Sequence, residues 1–372
     1  MSMKIILAPD SFKGTFTAGQ VSDSFAGGVK TVLPEARLVK LPLADGGEGT
    51  LETLLAVKGG KLHSCRARDP LGREIEVEYA VLPGGEALVE MARSSGLALL
   101  AEAERNPWTA GTYGLGMVIR AALEKKIRAL TLTLGGSATV DGGAGMARAL
   151  GYRFLGREQE PIEREGGRVL AEISLIDSAR TDSRLKAVKV RALCDVRNLL
   201  LGPSGAAHVF GPQKGADPEM VERLEQGMAN LARRIAQDLG IEVDNIPGAG
   251  AAGGLGAAVA GFLGGKLVSG IDYVLETLDF DTALTGADLV ITGEGSFDSQ
   301  SMGGKVISGV FQQASRHGVP VAVVCGRRSG RIPESVRVFS GADLPGKNQS
   351  DALLSLDDLA LLAAGAARSF AR

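Results

Sequence analysis

The hydrophobic positions of this chain change their spacing twice. KIILA (Lys4 to Ala8) has the length of a strand, and after a short loop Val21, Phe25, Val29 and Val32 recur at the interval of one helical face. Thr17 stands three residues before Gln20 in the form of a capping box, and Pro34 stops the helix. A second short strand, RLVKLPL, then runs through ADGGEGT into another helix, TLETLLAVKG. Strand, helix, strand, helix in this order predicts a parallel sheet.

From about Lys61 the period falls to two. LHSCRARDPLGREIEVEYAVLPGGEALVEMA alternates, with turn signals at Asp69–Gly72 and Pro83–Gly85, and predicts antiparallel strands. A helix around Gly116 to Lys125, the strand ALTLTL, a glycine-rich loop, the strand VKVRALC and a polar helix from Asp217 to Leu239 follow. The first rhythm then returns with DLVITG, a helix from about Lys305 that turns Val306, Val310 and Phe311 inward, and VPVAVVC. No element is assigned to the last forty residues.

The expected architecture is α/β in two domains. Residues 1–62 and 267–372, from both chain ends, form a Rossmann-like parallel-sheet domain, and residues 63–266 form an inserted mixed α/β domain. A chain of 372 residues exceeds the usual size of one core, and insertion is tolerated where chain ends lie close together.

Composition narrows the function. The formal charge is -2 and aromatics are 4%, which argues against a nucleic-acid surface, with its basic stripe or stacking platforms. Cys65, Cys194 and Cys325 are odd in number and far apart, as reduced thiols of a cytoplasmic protein would be. Gly248 to Gly265 is uncharged, but eight of its 18 residues are glycine, too weakly apolar for a membrane span. Glycine totals 52, clustered in short loops, which suits a protein that meets small ligands through its backbone.

Ligands of open parallel sheets bind beyond the carboxyl ends of the strands. Three loops meet that condition: Asp10-Ser11-Phe12-Lys13-Gly14, Asp45-Gly46-Gly47-Glu48-Gly49 and Glu294-Gly295-Ser296-Phe297-Asp298. Asp, Ser and Gly are also ordinary cap and turn residues, so one such loop alone means little. The stretch LGGSATVDGGAG (Leu134 to Gly145) adds a fourth loop between strand and helix. Asp45 to Leu54 and Asp141 to Leu150 share D-G-G-x-G-x-x-x-x-L, which predicts two helix starts with uncovered amides able to attract an anion. The aspartate of each caps the helix, holds a metal or accepts a proton, and the pattern leaves these roles open. Cys194-Asp195-Val196-Arg197-Asn198 and Lys214 between glycines are further candidates.

Several familiar sites are missing. No Walker A sequence, protein-kinase signature, G-x-S-x-G elbow or H-E-x-x-H pair occurs. Gly248-Ala-Gly250-Ala-Ala-Gly253 matches a dinucleotide fingerprint, but it follows Asn-Ile-Pro instead of a strand, so close packing explains its glycines better.

Taken together, APDSFKG (8–14), ADGGEGT (44–50), DPLGR (69–73), EMARSSGL (90–97), GGSATVDGGAGMARALG (135–151), CDVRN (194–198), GPSGAAHVFGPQKGA (202–216), GAGAAGGLGAA (248–258) and ITGEGSFDSQSMGGK (291–305) resemble the bacterial glycerate kinase family. The resemblance runs from residue 3 to about 330. Leu199 stands where the family has Pro, Thr109–Gly114 departs from its T-T-T-Y-G, and Val140 replaces a frequent Asn.

The resemblance implies phosphorylation of glycerate by ATP with Mg2+, with 2-phosphoglycerate as the favoured product and 3-phosphoglycerate as the alternative. On that reading Gly135, Gly136, Ser137, Ala138, Thr139 and Asp141 cradle ATP, with Lys214 assisting. Asp10, Lys13, Asp45, Glu48, Asp195 and Asp298 carry the catalysis, and Asp195 and Asp298 also hold the metal. Ser11, Phe12, Gly46, Gly47, Arg68, Glu294 and Lys305 bind glycerate. The partner is a small molecule, with no nucleic acid or membrane, and homodimerisation stays open. The competing readings are an NAD-dependent 2-hydroxy acid dehydrogenase and a non-catalytic sugar-acid sensor. The latter usually carries a DNA-binding module, which this sequence does not display.

Overall fold

The computed structural model describes residues 2–12, 14–298, 306–329, 336–347 and 354–371. In chain order its strands are β1 Lys4–Pro9, β2 Arg37–Lys40, β3 Lys61–Arg68, β4 Glu74–Leu82, β5 Glu86–Glu90, β6 Ala129–Thr133, β7 Arg153–Leu155, β8 Leu175–Asp177, β9 Lys189–Leu193, β10 Lys266–Val268, β11 Leu289–Phe297, β12 Val321–Arg328 and β13 Arg337–Ser340. They divide between two compact units.

The first unit takes in Met1–Asp45, Glu52–Val57 and Gly270–Arg372. Its sheet has the order β13-β12-β11-β1-β2, and every pairing in it is parallel. Ile5, Ile6, Leu7 and Ala8 in β1 and Leu289, Val290 and Ile291 in β11 are all fully buried. A strand covered on both faces reads as a continuous apolar run, which is why KIILA and LVI show no alternation. The helices Ala18–Val32 and Leu356–Phe370 pack on each other and share a core with Ile5, Leu7, Leu289 and Ile291. The helix Val306–Arg316 contributes Ile307 and Phe311 to a separate cluster with Val323 and Cys325, alternate residues of β12 that point the other way.

Local signals fix the ends of these elements. Thr17 Oγ1 accepts from the Gln20 amide at 3.2 Å, and Gln20 Oε1 accepts from the Thr17 amide at 3.0 Å, so the capping box forms in both directions. The strand predicted over RLVKLPL stops at Lys40. Beyond it the chain stays tied to β1 through Leu41 N to Leu7 O and Leu43 N to Pro9 O, both 2.8 Å. The terminal helix lies in a stretch to which the hydrophobic pattern assigned nothing. It opens on its own capping box, Ser355 with Asp358.

The second unit takes in Gly46–Leu51 and Lys58–Ser269. Its sheet runs β10-β9-β6-β5-β4-β3. The β10–β9, β9–β6 and β6–β5 pairings are parallel, while β5–β4 and β4–β3 are antiparallel, so the sheet is mixed. β7 and β8 form a small antiparallel pair of their own. Because β5, β6 and β9 run in one direction, the segments that follow Glu90, Thr133 and Leu193 leave the sheet at a single edge.

The Gly/Ala segment belongs to this unit as the helix Ala251–Leu263, and it is a packing element. Ala252, Gly253 and Gly254 are left-handed in succession (φ 53, 67 and 89). A Cβ on Gly253 would lie 1.9 Å from Thr139 O, and one on Gly250 would lie 2.3 Å from Leu199 O. Backbone meets backbone at both places, as only glycine permits. No strand precedes the segment, so the dinucleotide fingerprint lacks its structural context. Among the described residues no helix is long and apolar enough to cross a membrane.

Candidate active site

In the first unit the carboxyl ends of β1 and β11 open into a cleft of about 500 Å³. Asp10, Ser11, Phe12, Asp45, Glu294 and Asp298, all expected from the sequence, line it together. The Asp10 amide donates to Gly293 O at 2.8 Å, which continues the β1–β11 ladder by one residue and fixes the carboxylate at the strand end. Asp10 Oδ1 accepts from the Ser11 amide at 2.6 Å. Phe12 is 6% exposed and packs in the core, so its side chain forms the floor of the cleft. Lys13 and Lys305 lie outside the described residues. Arg327 also lines the cleft, opposite Ser296 in the β11–β12 register. It was not anticipated, although a cation is what a cleft holding four carboxylates would need to bind an acid.

In the second unit two glycine loops meet. Gly135 and Gly136 follow β6, and the space their side chains would fill is taken by the ADGGEGT loop. A Cβ on Gly135 would lie 3.1 Å from Gly47 Cα, and one on Gly136 would lie 2.5 Å from Glu48 Oε1. Glu48 therefore lies directly on the backbone of LGGSAT. The loop is also pinned from a second side, with Leu97 N donating to Gly136 O at 2.7 Å and Ala138 N to Ser95 O at 2.9 Å. Ser137, Ala138 and Thr139 are 8%, 1% and 0% exposed, so what this turn offers a ligand is the backbone at Gly135 and Gly136 together with the small open edge of Ser137.

The repeated D-G-G-x-G motif does not repeat in structure. At 141–145 the left-handed residues are Gly142 and Gly143 (φ 56 and 70), and the helix starts at Ala144. At 45–49 they are Gly46 and Gly49 (both φ 86), and the helix starts at Thr50. The expectation of uncovered amides fails at the second copy. Gly142 N donates to Gly253 O, Gly143 N and Gly145 N to the Asp141 carboxylate, Ala144 N to Asp141 O, and Met146 N to Thr112 Oγ1, all at 2.9–3.2 Å. At the first copy Leu51 N donates to Glu90 Oε1 at 2.9 Å. Internal carboxylates thus hold the helix starts that were expected to receive a ligand.

Asp141 is 1% exposed. Besides the two glycine amides, its carboxylate accepts from Thr112 N at 2.9 Å and Thr112 Oγ1 at 2.7 Å. Burial pushes its pKa up, and these hydrogen bonds oppose the rise. Of the three roles left open for this aspartate, the geometry is that of a loop and helix cap.

Lys214 is 2% exposed, with Nζ donating to Ser137 Oγ at 2.6 Å and to Thr139 O at 2.8 Å. It holds the loop from within, whereas the sequence had suggested a lysine reaching out to phosphate. Burial lowers its pKa to about 7, and the charge of Asp141 resists that fall. Asp195 is exposed just beyond β9, the hydrogen-bonded neighbour of β6, so it leaves the sheet at the same edge as LGGSAT. Arg68 is exposed at the end of β3 and stands over the Tyr113 ring at 5.3 Å, a partner on the helix Tyr113–Leu123 and not on the glycine loops. Burial raises the Cys194 and Cys325 thiols to about 11 and about 12, far from nucleophilic thiolates.

Comparison with known proteins identifies the family. The family model described as "Glycerate kinase family" matches residues 5–341. The glycerate kinase of Halalkalibacterium halodurans is 43% identical over 323 residues, covering 87% of this chain and 85% of the relative. The glycerate 2-kinase of Escherichia coli is 40% identical over 325 residues, with 87% and 85% covered. Among solved structures, a putative glycerate kinase 2 from Salmonella typhimurium superposes with a TM-score of 0.88 at 38% identity, over 99% of this chain and 98% of that one. With a family model spanning most of the sequence and a whole-chain structural match beside it, this chain belongs to the glycerate kinase family.

Proposed function

We propose that the protein transfers the terminal phosphoryl group of ATP to a hydroxyl of glycerate, with 2-phosphoglycerate as product. The reading rests above all on the meeting of Gly135 and Gly136 with Gly47 and Glu48, which sets a carboxylate on a backbone-lined turn at the carboxyl edge of a parallel sheet. Phosphoryl transfer asks a protein mainly to position its reactants and neutralise charge, which amides, hydroxyls and cations do. In this assignment Gly135–Thr139 and the Ser137 hydroxyl hold the polyphosphate. The small acid is held at the first-unit cleft, where Arg327 supplies positive charge and Ser11 a hydroxyl.

The acceptor hydroxyl attacks the terminal phosphorus, a new O–P bond forms, and the bond to the bridging oxygen breaks to release ADP. The hydroxyl proton passes to a carboxylate, for which Asp10, Asp45 and Glu48 are the candidates. Among the described residues no cluster of three or more His, Cys, Asp or Glu is arranged to cage a metal. Magnesium is commonly held by one or two carboxylates together with substrate phosphates, so it needs no such cluster. Asp195 in the second unit and Asp298 in the first are each proposed as a carboxylate donor to it, and the ion would neutralise phosphate charge. The cytoplasm, with its supply of ATP, is the proposed location.

The test is ADP release with D-glycerate, L-glycerate and hydroxypyruvate, with the product resolved by phosphorus NMR. Turnover with a glycerate enantiomer and a 2-phosphoglycerate resonance are expected. No ADP with any of the three acids would overturn the proposal, and 3-phosphoglycerate would overturn its regiochemistry alone.

A further inference from the structure

We propose that Lys214 is a positioning residue that turns the Ser137 hydroxyl outward as a hydrogen-bond donor to a phosphate oxygen of ATP, without touching the nucleotide itself. The inference rests on the nucleotide assignment above and extends it. Ser137 has one hydroxyl proton and two lone pairs, and an ammonium has three protons and no acceptor. With Nζ 2.6 Å from Ser137 Oγ, a protonated Lys214 can only donate. The Ser137 proton is thereby directed away from the lysine. A neutral amine at the same place carries a lone pair and draws the hydroxyl proton inward.

The second hydrogen bond makes this geometry rigid. Nζ also donates to Thr139 O at 2.8 Å, so the ammonium spans Ser137 and Thr139 across the turn and cannot swing out. Gly215, with φ 96, follows Lys214, and a Cβ there would lie 2.2 Å from Arg105 O, so the chain behind the lysine is held as well. The charged group whose field acts on it is Asp141, which favours the ammonium; Glu48 lies against Gly136, the residue before Ser137, and the Arg105 backbone against Gly215, the residue after Lys214. A lysine pKa near 7 in this setting places the switch between the two hydroxyl orientations close to neutral pH.

The experiment measures kcat and KM for ATP at saturating glycerate from pH 6 to 9 in wild type, Ser137→Ala, Lys214→Met and the double variant. Wild-type kcat/KM for ATP is expected to fall as pH rises through about 7. Ser137→Ala should be about 10- to 100-fold lower and should lack that limb, because a charge-assisted donor has been removed. Comparison with Ser137→Ala cancels titration of the nucleotide's own terminal phosphate. The double variant should be no worse than Ser137→Ala within about twofold, since Lys214 acts through Ser137.

Two results would overturn the proposal: a Ser137→Ala variant that keeps the wild-type limb, or penalties that multiply in the double variant, as a lysine contacting phosphate directly would give. Should Lys214→Met fail to fold, the Ser137→Ala profile decides alone. Calorimetric titration of ATP without glycerate separates this idea from the glycerate reading. A chain that binds ATP with the expected limb but leaves glycerate untouched would sink the substrate assignment and sustain the role of Lys214.

Discussion

The Glu48 carboxylate occupies the place where residue 136 would carry its side chain: a Cβ on Gly136 would lie 2.5 Å from Glu48 Oε1 and 3.5 Å from Glu48 Cδ. Gly136 also has φ 73, where an L-residue is strained by roughly 1–2 kcal/mol. Gly136→Ala should therefore displace Glu48 and distort the turn together. We expect kcat/KM to fall at least about tenfold with a loss of stability of only about 1–2 kcal/mol. Activity and thermal melts on one preparation check this, and a fully active Gly136→Ala would show that Glu48 need not rest there.

Thr112 Oγ1 donates to Asp141 and accepts from Met146 N, so one hydroxyl joins two loops in a buried setting. Thr112→Val keeps the shape and removes both bonds. It should cost about 2–4 kcal/mol, because a buried carboxylate and a buried amide each lose a partner. Denaturant unfolding measures this directly, and an unchanged midpoint would contradict the network described here.

The pKa of Lys214 predicts an unusual pH dependence of stability. A folded-state value near 7 against an ordinary 10.5 means that the unfolded chain binds the extra proton between those limits. Stability should rise with pH through that window, by about 2 kcal/mol between pH 7 and 9, as the cost of burying the ammonium is relieved. Lys214→Met should lack this rise and should be the more stable form at pH 6–7. Melting curves of both proteins at matched ionic strength test the point, and parallel pH profiles would refute it.

Asp195 is exposed and leaves the sheet beside LGGSAT, and the isosteric Asn removes its charge while keeping its shape. Asp195→Asn is expected to cut kcat/KM at least about 100-fold at an unchanged melting temperature. A wild-type rate would remove Asp195 from the metal and catalytic assignments.

The fold was legible where hydrophobic spacing matched burial. KIILA and DLVITG announced strands of a parallel sheet, Thr17 with Gln20 announced a helix start, and alternation from Lys61 announced antiparallel pairs. The terminal helix escaped because its small residues, Ala363, Ala364, Ala366 and Ala367, blur an apolar face that is nonetheless buried. In the site, glycine letters marked the correct loops but not their backbones, since D-G-G-x-G adopts two conformations here. Glu90 and Thr112 were missed because their partners, Leu51 N and Asp141, are distant in sequence. Arg327 carried a usable signal: it stands at the carboxyl end of a strand beside β11, where the rule for ligand sites in parallel sheets points.

The five tethered amides from Gly142 to Met146 have a consequence for motion. Amides held by buried partners exchange with solvent only when the structure opens locally. This stretch should therefore take up deuterium slowly, and at the same rate with or without nucleotide. It would act as a fixed internal standard against which the neighbouring turn at 135–139 reports ligand binding, two halves of one loop with opposite isotopic behaviour.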